Sequence, residues 1–341
     1  MATYGQTALT LSDLRKRLAP DGTLDIIFEA LANVNPVIDD ARWKEGNLRT
    51  GNRTTLRASK PRPSVRYINR GVQKSKSTTR QIEDTCIMLE DRSEVDIELI
   101  KLAAPNGEAF RASEDKAFVQ GFSDVVAENI FYGNSTEDLN TFNGLAARYA
   151  IVGGEKNDAG YQVVSAGTAN SGDKNTSIYI VGWGDTGTTG IYPKGSKAGL
   201  ATRDLGEQTV YDADGNGYQA LTTLFHWDCG LCVRDIRANA RLANIDVTTL
   251  ASMTSANSLK FMQNLVTAKN RIRNLDNKQN SYVMYVSDSV YDFMENYQLD
   301  KNNVFVTVRE LMNQPPTMYF RGIPVKRCEA IAETESKVES A

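Results

Sequence analysis

From Gly46 to Arg80 the chain carries ten basic residues and no acid: Arg49, Arg53, Arg57, Lys60, Arg62, Arg66, Arg70, Lys74, Lys76 and Arg80. The sign then flips. Between Gln81 and Asp115 ten acids (Glu83, Asp84, Glu90, Asp91, Glu94, Asp96, Glu98, Glu108, Glu114, Asp115) stand against Arg92, Lys101 and Arg111, so a segment of net charge +10 adjoins one of −7. The basic stretch is poor in large apolar residues, rich in Thr, Ser, Gly and Asn, and broken by Pro61 and Pro63. Such a segment cannot bury enough apolar surface to fold on a core of its own. It is expected as an extended arm or hairpin that becomes ordered against something else.

The totals hide this segregation. Over 341 residues, 39 Lys and Arg nearly cancel 42 Asp and Glu, and a net charge of −3 argues against a protein that coats nucleic acid with its whole surface. With 41% hydrophobic residues there is material for two compact units or one large interrupted one. A single His leaves little for histidine catalysis or a multi-histidine metal site. Four scattered cysteines, Cys86, Cys229, Cys232 and Cys328, do not make a disulfide framework and point to a reducing compartment. No window approaches the roughly 18 apolar residues of a membrane helix, and the first residues lack a signal-peptide pattern, so a soluble, non-exported chain is expected.

Helices are expected at Leu11–Leu14, at Asp25–Leu31 before Asn35-Pro36, and at about Glu94–Ala103. The clearest runs from Glu108 to Tyr132, with Phe110, Phe118, Phe122, Val125, Val126 and Ile130 mostly three or four apart and a stop at Gly133-Asn134. A second long helix is expected over Ser255–Leu275, on the stripe Phe261, Leu265, Ala268, Ile272 and Leu275. Eleven of the 25 glycines fall between Gly153 and Gly199, which predicts short strands, such as Ser177–Val181, among long loops. A strand at Tyr282–Val286 leads into a helix at Ser287-Asp288. Met318–Val325 reads as a terminal strand pair followed by a polar tail.

Three motifs have plain structural readings. Gly182-Trp183-Gly184-Asp185-Thr186-Gly187 has the letters of a dinucleotide fingerprint, yet Thr188–Pro193 continues as strand or loop where a helix N-terminus must hold the pyrophosphate, so a Gly-rich turn is expected. Asp212–Tyr218 begins like a calcium loop, but position twelve is Thr223, and a tight turn between strands fits better. Cys229-Gly230-Leu231-Cys232 and His226 lie in a strand-like run, without the helix start of a redox pair or two further zinc ligands. No catalytic, cofactor-binding or metal-binding residue is expected, and the acidic stretch reads as a solvated face. For the basic arm, protein contact outweighs nucleic-acid contact. Only Tyr67 supplies aromatic stacking, whereas the acidic neighbour offers a +10 arm of one copy a −7 surface on another.

Taken in order, the sequence resembles the Hong Kong 97-type major capsid proteins of tailed double-stranded-DNA phages, especially those of short-tailed phages. The resemblance runs over nearly the whole chain. Its segments are Asn35–Asp40 with Trp43–Asn47; Asn69–Val72 with Ser75–Thr79; Ser93–Asp96; Ile130–Asn134; Phe142–Tyr149; Ile191–Gly195; Arg241–Asp246; and Phe320–Val325.

The resemblance implies an α+β fold with an N-terminal arm (1–45), an E-loop hairpin (46–85) and a peripheral domain with a long spine helix (86–149). An axial domain (150–276) would follow, then a return to the peripheral domain with the C-terminal tail (277–341). It implies a non-enzymatic virion protein without cofactors, assembled in the host bacterial cytoplasm through pentamers and hexamers into an icosahedral shell around double-stranded DNA. Scaffolding, portal and cement proteins are its implied partners, with no membrane. Arg49, Arg53, Arg57, Arg62, Arg66, Lys74 and Lys76 of the E-loop are the expected contacts between subunits. The rival reading is a DNA-binding or packaging accessory protein that uses residues 46–80.

Overall fold

The computed structural model describes residues 35–340 except 104, 168–171, 213, 251, 274, 276–278, 299–305 and 310–316. The short helices expected at Leu11–Leu14 and Asp25–Leu31 lie outside the described residues. The chain enters through α1 (Val37–Asp40) and β1 (Trp43–Glu45), then forms the antiparallel pair β2 (Gly51–Ser59) and β3 (Thr78–Asp96). α2 (Ile97–Leu102), the long α3 (Gly107–Tyr132) and α4 (Leu145–Arg148) follow. Next come β4 (Val163–Ser165), β5 (Asn175–Trp183), β6 (Thr188–Tyr192), and the hairpin of β7 (Ala201–Tyr211) and β8 (Gly217–Val233). β9 (Ala240–Asp246), α5 (Val247–Leu250), α6 (Ser255–Arg271), β10 (Ser281–Val286) and α7 (Asp288–Gln298) lead to β11 (Val306–Arg309), β12 (Thr317–Phe320) and β13 (Ile323–Arg327).

Among the described residues the strands join into one 13-stranded mixed sheet whose main path is β11-β12-β13-β10-β5-β6-β8-β3-β2. Its central strands are buried on both faces, which is why they read as nearly continuous apolar runs rather than alternating ones. In β5, Tyr179, Val181 and Trp183 point into a core that contains Phe122, Val126, Ile130 and Phe131 of α3. Ile178 and Ile180 point the other way, into a core with Phe261, Met262, Leu265 and Ala268 of α6. β10 repeats the division, with Val283 and Tyr285 on the α3 side and Met284 and Val286 on the α6 side. Each buried side chain of this size contributes about 1.5–3 kcal/mol, so two helices are held to one sheet by alternate residues of the same strands.

The two long helices form where the apolar stripes predict them, with differences at their ends. α3 is anchored twice: Phe110 packs with Val95, Leu99 and Ala103, while its C-terminal half joins the main core. α6 stops at Arg271, and Ile272 turns extended at φ −66° and ψ 126°, yet Ile272 stays buried in the same core. The apolar period thus runs past the helix itself. The helix expected from Glu94 begins only at Ile97, because Glu94, Val95 and Asp96 pair with Thr222, Leu221 and Ala220 of β8. Cross-strand pairing overrides local helix preference there, and Asp96 caps α2 by accepting the Glu98 N–H at 2.8 Å.

The final segment is a larger correction. Instead of a polar tail, residues 328–340 pack back on the body: Cys328 and Ile331 are buried, Glu335 bridges to Asn175 and Ser340 to Val152. The strand pair before it is as expected, with Arg321 and Gly322 at φ 47° and 89° closing a tight β12–β13 turn.

Candidate assembly interface

The basic segment forms a hairpin that leaves the body. β2 and β3 pair from Gly51↔Thr85 to Ser59↔Thr78, with an irregularity between Arg57 and Ser59. The strands close at a hydroxyl pair, Ser59 Oγ and Thr78 Oγ1, 2.7 Å apart. Beyond it, residues 60–77 contain neither helix nor strand and are exposed throughout. A turn from Tyr67 to Arg70 reverses the tip, with the Arg70 N–H donating to the Tyr67 carbonyl at 3.2 Å and Asn69 at φ 62°. Val65, Tyr67 and Ile68 stand 80%, 68% and 91% exposed, apolar surface that none of the described residues covers.

The root, in contrast, is rigid. Asn47 exchanges two 2.7 Å hydrogen bonds with the backbone of Arg53. The chain crosses β3 so closely that a Cβ on Gly51 would lie 2.0 Å from the Asp84 carbonyl oxygen, so only glycine fits. Asp84 is buried and accepts from Arg148 at 2.7 Å, while Arg148 also donates to the carbonyls of Leu231 and Asn143. This corrects the reading of the whole acidic stretch as solvated. Glu83, Glu90 and Asp91 are exposed, but Asp84 clamps the hairpin root to α4 and β8.

The seven expected contact residues divide along this hairpin. Arg49 lies in the turn before β2; Arg53 and Arg57 share one exposed face of β2; Arg62, Arg66, Lys74 and Lys76 lie in the tip. Arg53 has a partner in its own hairpin, Glu83 at 2.9 Å.

The other motifs take structural roles. Gly182–Gly187 ends β5 and turns into β6, with the Gly187 N–H donating to the Gly184 carbonyl. Asp212 accepts the N–H groups of Asp214 and Asn216 in the β7–β8 turn, and these bonds hold its carboxyl below the usual range. Cys229 and Cys232 are buried in β8 and form no disulfide, the Cys232 sulfur accepting from the Asn52 amide at 3.4 Å, and His226 sits between Asp228 and Glu90. Burial pushes the Cys86 and Cys328 thiols up to about 12, so at neutral pH they are protonated and poorly nucleophilic. Among the described residues no three His, Cys, Asp or Glu side chains gather to hold a metal, and no helix is long and apolar enough to cross a membrane.

Local sequence signals missed the long-range polar clamps. Arg241 and Glu335 meet at 2.9 Å, both buried, and Lys326 reaches Asp40 at 2.6 Å. Neither pair has a spacing or motif that could have found it.

A long helix laid across a large mixed sheet, with a clamped two-stranded hairpin projecting from it, defines a shell-building protein of the Hong Kong 97-type capsid fold. A chain in the cryo-EM structure of bacteriophage Epsilon15 superposes with a TM-score of 0.77 and is 32% identical, over 100% of both chains. The bacteriophage JBD30 capsid shares the fold at a TM-score of 0.51 and 13% identity, over 90% of this chain and 95% of that one. The model of the family described as major capsid protein GP7 matches residues 19–339, and the chain belongs to that family. It is a structural, shell-forming component of the virion. No curated protein sequence matches it.

Proposed function

We propose that copies of this chain close into pentamers and hexamers and that these build an icosahedral shell around packaged double-stranded DNA. The hairpin acts as the E-loop, and Arg49, Arg53, Arg57, Arg62, Arg66, Lys74 and Lys76 contact a neighbouring copy. The observation that carries this reading is the tip: exposed Val65, Tyr67 and Ile68 interleaved with cations, on a hairpin whose root is clamped. Apolar area held out in water at the end of a rigid lever is stabilised only when a partner covers it. Many such contacts around a ring can each be weak and still hold a shell. On this reading residues 1–45 form an arm, 46–85 the E-loop, 86–149 and 277–341 the peripheral domain with the tail, and 150–276 the axial domain. Scaffolding, portal and cement proteins are the further partners, and assembly takes place in the bacterial cytoplasm.

Arg62 and Arg66 make the cleaner test because Arg53 already pairs with Glu83. The double variant Arg62→Glu/Arg66→Glu should keep the subunit's unfolding midpoint and reduce particle yield at least tenfold by negative-stain electron microscopy. Normal particles would refute the role given to the tip. Salt-sensitive DNA binding by a stable monomer that forms no particles would instead favour the DNA-binding reading of residues 46–80.

A further inference from the structure

One end of the sheet gathers cations from three distant parts of the chain. Arg42 precedes β1, Lys44 lies in β1, Arg234 and Arg237 follow β8, and Arg273 follows α6. They collect around the turn from β5 to β6 and its exposed Asp185. Lys44 Nζ lies 3.2 Å from Asp185 Oδ1, Arg234 donates to the Asp185 carbonyl at 2.7 Å, and Arg42 donates to the Gln279 carbonyl at 3.4 Å. Lys44 first, then Arg234 and Arg42, hold the Asp185 carboxyl below the usual carboxylate range. Arg237 pairs with Asp235 at 2.9 Å, and the Arg273 N–H donates to the Arg237 carbonyl at 3.0 Å. Five cations thus stand beside two carboxylates, and the adjoining residues 276–278 add one acid and one base to that count. Arg42, Lys44 and Arg273 are exposed. The patch differs in kind from the hairpin tip. Thr186, Gln279 and Asn280 line it with hydroxyl and amide groups, Thr186 donating to Asn280 at 2.9 Å, and none of the exposed large apolar side chains of the described residues lies in it.

We infer that this patch meets backbone phosphates of the enclosed duplex DNA and so marks the face that the subunit turns to the inside of the shell. The inference rests on the reading of the chain as a shell around double-stranded DNA. Contacts between proteins are built around buried apolar and aromatic side chains, whereas Arg, Lys, Thr, Asn and Gln are the groups that hold DNA phosphates. Among the described residues the patch presents no exposed aromatic ring to stack on bases, so the contact is with the duplex backbone rather than with a single strand. A net charge of −3 argues only against coating DNA with the whole surface. A local group of cations can still hold phosphates by releasing their counterions. Asp185 limits the strength of that contact, because its carboxylate engages Lys44 and offsets part of the positive charge.

The test titrates full-length subunits, below their assembly concentration, with a short fluorescent duplex of mixed sequence between about 50 and 200 mM salt. Arg42→Gln/Lys44→Gln/Arg273→Gln should weaken binding about tenfold and flatten the slope of log K against log salt by about 3, at roughly 0.9 per phosphate contact. Its unfolding midpoint and particle yield should stay normal. Asp185→Asn acts the other way and should tighten binding several-fold, an outcome that damage to the fold does not produce. Binding by the unaltered chain that ignores salt, an unchanged slope in the triple variant, or binding by Asp185→Asn no tighter than that of the unaltered chain would overturn the assignment. So would loss of particles in the triple variant with DNA binding intact, which would make the patch a contact between copies. If the triple variant fails to fold, Arg42→Gln/Arg273→Gln spares the Lys44–Asp185 pair and should flatten the slope by about 2. The two readings fail separately: an unaltered chain that forms no particles removes the shell and the inward face with it, whereas particles beside an unchanged slope in the triple variant remove the patch alone.

Discussion

The Arg241–Glu335 pair concentrates the cost and benefit of a buried charge at one point. Arg241 donates to Glu335 Oε2 at 2.9 Å, to Ser177 Oγ at 3.0 Å and to the Tyr149 carbonyl at 2.8 Å, and its guanidinium lies over the Tyr179 ring. Glu335 also accepts from Ser177 and, at 2.6 Å, from Tyr132, whose own oxygen accepts the Ala332 N–H at 3.0 Å. Burial first, then the nearby Tyr179 and Glu335, hold the Tyr132 hydroxyl well above its usual pKa, so it remains a donor across the neutral range. With side chains 5% and 6% exposed, neither charge has water to fall back on. Arg241→Met strands the carboxylate and should cost about 3–5 kcal/mol in urea unfolding of the unassembled subunit, with the double change Arg241→Met/Glu335→Met recovering part of it. An equal loss in the single and double variants would show that packing, not the stranded charge, sets the penalty.

At the scale of elements, α3 shows which signals are local. The sequence reading puts its end at Gly133, and the helix does end there, but for a different reason. Gly133 has φ −50°, outside the left-handed region that usually makes glycine a stop. Its hydrogen atoms are needed for space: a Cβ would lie 2.4 Å from the Phe142 carbonyl oxygen and 2.7 Å from that of Asn129, where the loop returns to Gly144. Gly133→Ala should therefore cost about 1–3 kcal/mol of strain, read as a lowered unfolding midpoint. An unchanged midpoint would show that the loop gives way. The same distinction runs through the fold. The stripes of α3 and α6 and the apolar run of β5 are legible because their information lies within a few residues. The end of β3 and the return of the tail are not, because Glu94 answers to Thr222 and Glu335 to Arg241. The hairpin is legible as a stretch without acids or core.

At the scale of the molecule, one sheet serves two cores, and the last residues close both ends of the arrangement. The Cys328 N–H donates to the Val286 carbonyl beside β10, Ile331 enters the α3-side core, and Glu335 reaches β5 and β9. Farther on, the Val338 N–H donates to Asn244 Oδ1, and the Val152 N–H to the Glu339 carbonyl. The tail thus ties β10, β5 and β9 to one another and to the segment before β4, which are far apart in the chain. Its loss should act on the whole body rather than on the end alone. A chain terminated after Arg327 leaves Arg241 without its carboxylate and uncovers the main core. It should lose cooperative urea unfolding or shift its midpoint far below that of the full chain, with tryptophan fluorescence as the probe, since Trp183 is buried and bonded to Tyr285 and Trp43 and Trp227 pack in the same core. Termination after Lys337 keeps Ile331 and Glu335, removes the contacts of Val338, Glu339 and Ser340, and should cause a much smaller shift. If both truncations unfold like the full chain, the tail is a passenger on the surface and the two cores stand without it.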